Sequence, residues 1–191
     1  MTAVAPEPVL ADLWLAGADD LRQLAPQLTV LYRRCFDEPP WSASPDRLDE
    51  FPAKLAADLE DNPRLRGTVL SDRGDLLLGA AYGWPAPAAL PDTTWHRVLA
   101  ATLDSEQLQH LLSPAMIVAE LMVRPSARGR GYGRLLLEAL VAHAPSAWLC
   151  THPESTAATL YERWGWQRLA AFTSYRGAPR VVFVWPGGTA R

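Results

Sequence analysis

The sequence predicts a mixed α/β or α+β domain built around one twisted sheet. Two apolar runs joined by Asp72-Arg73-Gly74-Asp75 are typical of an antiparallel hairpin with a tight turn. Further along, an apolar strand leads through a glycine-rich turn into a helix, and a second short strand and helix follow. Antiparallel strands followed by a strand-helix-strand-helix unit indicate this fold class.

Length and composition fit a single domain. The chain has 191 residues, of which 49% are hydrophobic and 20% charged, and domains of about 100–200 residues bury a core of their own. We expect one domain over residues 10–185. Residues 1–9, rich in Ala and Pro, and residues 186–191, which contain Pro-Gly-Gly, are expected to be flexible tails.

Charge and hydropathy exclude several classes of function. The net charge of −3 gives no overall positive field for nucleic acid or an anionic membrane. The apolar runs are shorter than the roughly 20 residues of a spanning helix, and no basic stretch precedes an apolar one at the N-terminus. Cys35 and Cys150 lie far apart and indicate free thiols. We therefore expect a cytoplasmic location, with no nucleic-acid or membrane partner.

The first half of the chain contains helices on either side of the hairpin. The pattern predicts a strand at Leu13–Leu15, a helix over Asp19–Phe36 that Pro26 kinks or restarts, and a helix from Ser44 to Leu59 that Pro52 disturbs. The hairpin strands are predicted at Gly67–Ser71 and Leu76–Trp84. Residues 91–112 read as two short helices divided near Asp104.

The second half alternates strands and helices before a closing hairpin. The predicted elements are a strand at Met116–Val123, a helix at Arg134–His143, a strand at Ala147–Thr151, a helix at Thr156–Trp164 and hairpin strands at Arg168–Ser174 and Val181–Trp185.

The turn between Val123 and Arg134 carries the strongest chemical signal. Successive amides of a glycine-rich turn and the positive end of a helix dipole form an anion site, and glycine lets phosphates approach the backbone. Between Arg124 and Leu137 there are four arginines and no acidic residue, so a pyrophosphate would fit. A solvated loop whose glycines serve only a bend is the alternative. The spacing matches neither a P-loop nor a dinucleotide-binding fingerprint.

The pattern Arg128-x-x-Gly131-x-Gly133, preceded by Leu121-x-Val123-x-Pro125, resembles the acetyl-CoA-binding motif of the GNAT N-acetyltransferases. Downstream, the segment from Ala157 to Trp166 is similar to the family's Ala-x-x-Leu-Tyr-x-x-x-Gly-Phe motif, with Trp166 in place of phenylalanine. Glu38-Pro39-Pro40-Trp41 and the surroundings of Trp95 resemble an actinobacterial branch of that family.

The resemblance implies a twisted, mostly antiparallel sheet flanked by helices, with acetyl-CoA bound at a central strand-turn-helix unit. It implies an acetyltransferase that moves the acetyl group from acetyl-CoA to a primary amine by direct attack, without a metal. The acceptor would be a small molecule or a peptide, and a homodimer is compatible with the family. The residues that would contact the cofactor are the main chain of Leu121, Met122 and Val123 at the pantetheine arm, and Arg128, Gly129, Arg130, Gly131, Tyr132, Gly133 and Arg134 at the pyrophosphate.

Two residues are candidates for catalysis. Glu120 is the lone ionisable residue in the apolar strand Met116–Val123, and desolvation would raise its pKa toward a range useful for a general base. A salt bridge to an arginine or a solvent-facing side chain is the alternative. Tyr161 matches the tyrosine that protonates the leaving thiolate in the family. Its position on an apolar helical stripe with Ala157, Leu160 and Trp164 also fits a purely structural role.

The acceptor side of the sequence is less specific. Some of Trp41, Trp84 and Trp95 could line an acceptor pocket, with Glu38, Asp46 and Asp49 supplying charge for a cationic amine. For any one of these residues, an ordinary surface or core position is the favoured alternative. Where the family often has an asparagine three residues before Ala157, this chain has Glu154, which puts that contact to pantetheine in doubt. A non-catalytic acyl-CoA-binding sensor or structural module is the alternative function, and it would have no use for Glu120 and Tyr161.

Overall fold

The computed structural model describes residues 11–187. Seven strands form one sheet: β1 (Ala11–Ala16), β2 (Arg66–Asp72), β3 (Leu77–Pro85), β4 (Met116–Val123), β5 (Ala147–Thr151), β6 (Gln167–Thr173) and β7 (Pro179–Trp185). Their order across the sheet is β1-β2-β3-β4-β5-β7-β6. Only β4 and β5 are parallel; every other neighbouring pair of described strands is antiparallel. The predicted mixed fold with a mostly antiparallel sheet is confirmed.

Eight helices accompany the sheet in the described part of the chain: α1 (Ala18–Gln23), α2 (Ala25–Phe36), α3 (Pro45–Asp49), α4 (Phe51–Asp61), α5 (Thr94–Thr102), α6 (Ser105–Gln109), α7 (Tyr132–Val141) and α8 (Thr156–Arg163). A 3₁₀ turn at Pro125–Ala127 lies between β4 and α7. No helix among residues 11–187 is long and apolar enough to cross a membrane.

The two faces of the sheet carry separate cores. One face packs on α7 and α8 through residues such as Leu136, Tyr161 and Phe183. The other packs on α1, α2 and α4 through residues such as Leu28 and Met122, and it continues under α5 as a third cluster around Leu99. Adjacent strand residues therefore point to different cores, as the period of two requires.

Most predicted elements are present, and prolines divide the predicted helices. Helix α2 begins one residue before Pro26, and α4 begins one residue before Pro52, because proline is tolerated in the first turn of a helix but not in its interior. The strands at Met116–Val123 and Ala147–Thr151 have the predicted bounds.

Both bounds of helix α7 differ from the predicted ones. Helix α7 spans Tyr132–Val141 instead of Arg134–His143. Gly131 is the N-cap and has a left-handed backbone with φ 81°, which glycine adopts without steric cost. The helix therefore starts directly after it, inside the glycine-rich segment. The predicted N-terminal tail, residues 1–9, lies outside the described residues. So do residues 188–191 of the predicted C-terminal tail.

Between β3 and β4 the register shifts by one residue. Tyr82 pairs with Glu120 but Gly83 pairs with Val118, so Ala119 is the extra residue of a β-bulge. At the bulge the two backbones come so close that a Cβ on Gly83 would lie 1.9 Å from the carbonyl oxygen of Ile117. This position therefore requires glycine.

Replacing Gly83 by alanine should destabilise the protein, because backbone atoms at the bulge would have to move. Overpacking of this kind costs about 1–3 kcal/mol, and each kcal/mol lowers Tm by roughly 2–4 °C in a chain of this size. Thermal unfolding followed by circular dichroism measures the change. Gly133→Ala is the control: its Cβ would have ordinary contacts at 3.6 Å, so its Tm should stay close to that of the parent. Equal Tm values for the two variants would contradict the close approach at Gly83.

Candidate functional site

The site lies where β4 and β5 diverge. The two strands pair only over Met116–Val118 and Ala147–Leu149. From Ala119 onward β4 pairs with β3 alone, so along its other edge alternate main-chain groups have no strand partner. A wedge-shaped opening results, with alternate main-chain groups of the Leu121–Val123 segment along one side, where the carbonyl oxygen of Val123 accepts from Arg128 Nε and Cys35 Sγ. This is the strand that the sequence predicted to hold a pantetheine arm.

The glycine-rich turn lies at the end of that strand. Gly129 and Gly131 have positive φ angles of 76° and 81°, and a Cβ on either would find nothing within 4 Å. Within residues 11–187, the main-chain amides of Gly129, Arg130 and Gly133 donate no hydrogen bond to another backbone group. Open space, free amides and the start of α7 coincide here, as an anion site requires.

The arginines of the turn differ in their ion-pair and hydrogen-bond partners. Arg128 donates from Nη1 to Glu38 Oε2 at 3.0 Å and from Nε to the carbonyl oxygen of Val123 at 3.2 Å. Arg134 pairs with Glu138 at 2.7 Å one turn along α7. Arg130 is exposed and has no ion pair in the described chain. Because these pairs are exposed, they hold the side chains only weakly and leave the guanidinium groups available for an anion.

Glu120 lies on the opposite face of the opening, which it reaches because of the bulge at Ala119. Its side chain is 13% exposed, and its Oε1 lies 3.3 Å from Nζ of Lys54 on α4. Burial raises the pKa of the Glu120 carboxyl, and Lys54 offsets part of that rise. The sequence analysis gave a salt bridge to an arginine, or a solvent-facing side chain, as the alternative role of Glu120. In the structure its ion-pair partner is Lys54, the only lysine of the chain.

Lys54 is the centre of a polar network under Glu120. Its Nζ lies 2.8 Å from Asp58 Oδ2 and donates to the hydroxyl of Tyr82 at 3.2 Å. The Tyr82 hydroxyl in turn donates to Asp58 at 3.1 Å. Burial opposes the charge on Lys54, but Glu120, Tyr82 and Asp58 together raise its pKa above the usual value. Lys54 therefore stays charged and partly neutralises the Glu120 carboxylate.

Tyr161 lies on the α7–α8 side of the opening. Its ring packs against Trp164, Trp166 and Phe183 at centroid distances of 5.6–5.9 Å. Burial, with a further contribution from the charge of Glu120, raises the pKa of its hydroxyl. The hydroxyl makes no hydrogen bond to another residue of the described chain. It is nevertheless not completely buried, because no completely buried polar side-chain atom lacks a partner among the described residues. The hydroxyl thus stays protonated at neutral pH on a ring held by three aromatic contacts.

Two adjoining cavities open from Glu120 toward α2, α3 and α5. Their volumes are about 390 and 790 Å³. The residues that line both cavities include Tyr32, Arg47, Lys54, Trp95, Glu120 and Arg180. All three tryptophans considered from the sequence, Trp41, Trp84 and Trp95, line the larger cavity. The space has the size and apolar lining of small-molecule sites.

The carboxylates predicted for this pocket are not in its walls. Glu38 pairs with Arg128, Asp49 pairs with Arg33 at the surface, and Asp46 is exposed in the first turn of α3. The lining carboxylates are Glu50, Asp58, Asp61 and Glu120. The prediction was wrong because sequence proximity to Trp41 does not determine which side of a short helix faces the cavity.

Cys150 also lines the larger cavity. Burial raises its pKa to about 12, so the thiol is protonated at neutral pH and is not an activated nucleophile. The Cys150 side chain packs against the third core cluster.

Sequence reasoning missed Lys54, Asp58 and Tyr82. Lys54 and Asp58 are four residues apart and face each other on one helix, and Lys54 is unique in the composition, which was an available signal. Tyr82 becomes a neighbour of Glu120 only through the register of β3 and β4, which the sequence does not specify.

Comparison with known proteins agrees with this geometry. Residues 96–168 match the sequence model of the acetyltransferase (GNAT) domain, whereas no curated protein sequence gives a match. The ribosomal-protein-S18-alanine N-acetyltransferase of Escherichia coli superposes with a TM-score of 0.61 at 16% identity, covering 95% of this chain and 97% of that one. The histone acetyltransferase HPA2 and related acetyltransferase of Corynebacterium glutamicum gives 0.63 at 20% identity, covering 94% and 97%.

A further structure with the same fold is that of the NatC complex bound to Gag peptide and CoA, which superposes with a TM-score of 0.59 at 15% identity and covers 93% of this chain and 99% of that one. At such identities these structures establish the fold, and the matched segment contains β4, the glycine-rich turn and Tyr161. Residues 96–168 therefore match the GNAT acetyltransferase domain, and residues 11–187 have the fold of these acetyltransferase structures.

Proposed function

We propose that the protein is an acetyl-CoA-dependent N-acetyltransferase whose acceptor is a primary amine, either of a small molecule or of a peptide. The observation that carries the proposal is the position of Glu120. Its buried carboxylate lies between the opening that ends at the glycine-rich turn and the cavities lined by Trp41 and Trp95. The proposed donor and acceptor sites would thus share one wall, in which Glu120 is the proposed base.

The donor fits the α7–α8 side. The pyrophosphate would accept hydrogen bonds from amides of the Arg128–Arg134 turn, and the pantetheine arm would lie along the unpaired edge of Leu121, Met122 and Val123. The Cβ-free surface at Gly129 and Gly131 admits phosphate oxygens to the backbone. Unpaired amides along β4 would polarise the thioester carbonyl.

The acetyl transfer needs three proton movements. An alkyl ammonium must lose a proton before its nitrogen attacks the thioester carbon, and Glu120, directly or through water, accepts that proton. The C–N bond forms as the C–S bond breaks, and the electron pair leaves on the CoA sulfur. Tyr161, whose hydroxyl is protonated at neutral pH, donates a proton to this thiolate. The second proton of the attacking nitrogen is released as the amide forms, and it restores the Tyr161 hydroxyl directly or through water.

The alternative, a domain that binds acyl-CoA without catalysis, requires the turn but neither the base nor the acceptor cavities. Incubation of the protein with acetyl-CoA and a panel of primary amines, with free thiol as the readout, distinguishes the two functions. Amine-dependent release of CoA supports the enzyme. Tight CoA binding with no thiol release across aromatic, aliphatic and peptide amines would support the binding module.

Charge reversal in the turn should weaken CoA binding. In Arg128→Glu/Arg130→Glu, charge-assisted contacts to phosphate worth about 1.5–3 kcal/mol each are lost, so Kd for CoA should rise at least about tenfold. Isothermal titration calorimetry measures it. The matched control is Arg64→Glu/Arg73→Glu, which makes the same change in net charge at exposed positions outside the Arg128–Arg134 turn. Equal Kd values for the two double variants would place the CoA site elsewhere.

Glu120→Gln should lower kcat/KM by about 10²–10⁴-fold and remove the acid limb of its pH profile, because the amide cannot accept the proton. In the parent, activity falls as pH drops through the raised pKa of Glu120. A near-normal rate with an unchanged profile would reduce Glu120 to a structural residue.

Substitutions at two residues close to Glu120 should shift the acid limb of the kcat/KM pH profile in opposite directions. Lys54 lowers the pKa of Glu120 and Asp58 raises it. Lys54→Gln should therefore move the acid limb of kcat/KM to higher pH, and Asp58→Asn should move it to lower pH. The paired pH–rate profiles are the measurement. Shifts of the same sign in both variants would mean that the limb belongs to another group.

Tyr161→Phe should lower kcat by about 10–100-fold with CoA affinity and Tm nearly unchanged, because the ring and its contacts to Trp164, Trp166 and Phe183 remain while the proton donor is lost. Single-turnover kinetics separate this step from product release. A kcat equal to that of the parent, measured where chemistry limits the rate, would leave water or substrate as the acid.

A further inference from the structure

The smaller of the two cavities has an unbalanced set of charges in its wall. Its cations are Arg47, Lys54, Arg176 and Arg180, and its carboxylates are Glu50 and Glu120. Lys54 is paired with Glu120, and Arg176 donates to Glu50 at 3.0 Å. Arg47 and Arg180 have no carboxylate partner among residues 11–187. Two guanidinium groups therefore face the cavity without an ion pair, although the charge of Glu120 in the same wall acts on both of them.

These two arginines are held where a ligand can reach them. Arg47 lies on α3 and Arg180 on β7, both are half-buried, and both also line the larger cavity. The guanidinium of Arg180 stands 5.1 Å from the ring centroid of Trp41, and its Nη1 donates to the carbonyl oxygen of Pro179 at 2.8 Å. The stacking contact and this hydrogen bond fix its plane while leaving its remaining N–H groups free.

Arg47 and Arg180 also lie within each other's electrostatic field. Burial first, and then the positive charge of Arg47, lower the pKa of Arg180. Half-buried like charges without a counter-ion are unfavourable, because they lose hydration and repel each other. An anion bound between them would recover that free energy, and a guanidinium presents paired N–H donors that match a carboxylate.

The rest of the wall is aromatic. Tyr32 and Trp95 line both cavities, and Trp41 lies under Arg180 on the side of the larger one. Glu120 is part of both walls. A ligand in this space would therefore meet a base, an apolar surface and a pair of guanidinium groups.

We propose that the acceptor is an aminocarboxylate with an apolar, aromatic body, whose carboxylate binds Arg47 and Arg180 while its amine approaches Glu120. The assignment rests on the proposed acetyl transfer and adds the class of acceptor. It also explains why a site for an amine has arginines in its wall: they select amines that bear an acid group and disfavour simple cationic amines and diamines.

The test measures binding without turnover. Tryptophan fluorescence of the full-length protein is titrated with 3-phenylpropionate and with 3-phenylpropanamide, which differ by the carboxylate alone. We expect the carboxylate to bind at least about tenfold more tightly, as one charge-assisted pair provides. This preference should be lost in Arg180→Gln and retained in the control Arg73→Gln, whose side chain is exposed in the β2–β3 turn.

Arg47→Gln provides the second variant if Arg180→Gln does not fold, and it should lose the same preference. Equal binding of the two probes, absence of binding by both, or a preference unaffected by either variant would overturn the proposal. Tighter binding of phenyl phosphate than of 3-phenylpropionate would overturn its assignment to carboxylates. Because no acetyl-CoA is present, a carboxylate preference in a protein that acetylates no amine would contradict the proposed function and leave this subsite supported.

Discussion

The close approach of Gly83 to the carbonyl oxygen of Ile117 is the contact on which the geometry of the site depends. It permits the bulge at Ala119, which shifts the alternation of β4 by one residue. Before the bulge Met116 and Val118 face α7, and after it Leu121 and Val123 do. Glu120 thereby joins Ala119 and Met122 on the face of α2 and α4. Without the extra residue, the carboxylate would point into the apolar core beneath α7, where no cation is available to it.

Burial then determines what Glu120 can do. A carboxylate in an apolar strand would be protonated at neutral pH if nothing opposed desolvation, and one in a strong ion pair would be a poor base. Lys54 contacts Glu120 at 3.3 Å but Asp58 at 2.8 Å, so its charge is shared between two carboxylates. The pKa of Glu120 stays raised. Asp58 and Tyr82, through their contacts to Lys54, therefore belong to the network that surrounds the proposed base.

The sequence predicted the fold more completely than the site. Periodicity located the strands and helices because each element has a buried stripe of its own, and prolines indicated the breaks in α1–α2 and α3–α4. The glycine-rich turn could also be predicted from the sequence, because its backbone conformation requires glycine at positions 129 and 131. Contacts between segments that are distant in the sequence could not be predicted. Lys54 meets Glu120, and Arg47 meets the field of Arg180, only after strand register and the orientation of short helices are fixed, and a one-residue shift reverses which side chains meet.

The separation of the sheet's two faces would let the proposed donor and acceptor meet without competing for space. The glycine-rich turn and Tyr161 belong to the α7–α8 face, whereas Lys54, Arg47, Arg180 and the tryptophan-lined cavities belong to the other. In a continuous sheet these faces would be isolated by a layer of hydrogen-bonded backbone. The divergence of β4 from β5 removes that layer for a few residues, and Glu120 and Tyr161 are close enough across the gap that the charge of one raises the pKa of the other. A thioester entering from one side and an amine entering from the other would therefore be in contact only at this gap, between a proton acceptor and a proton donor.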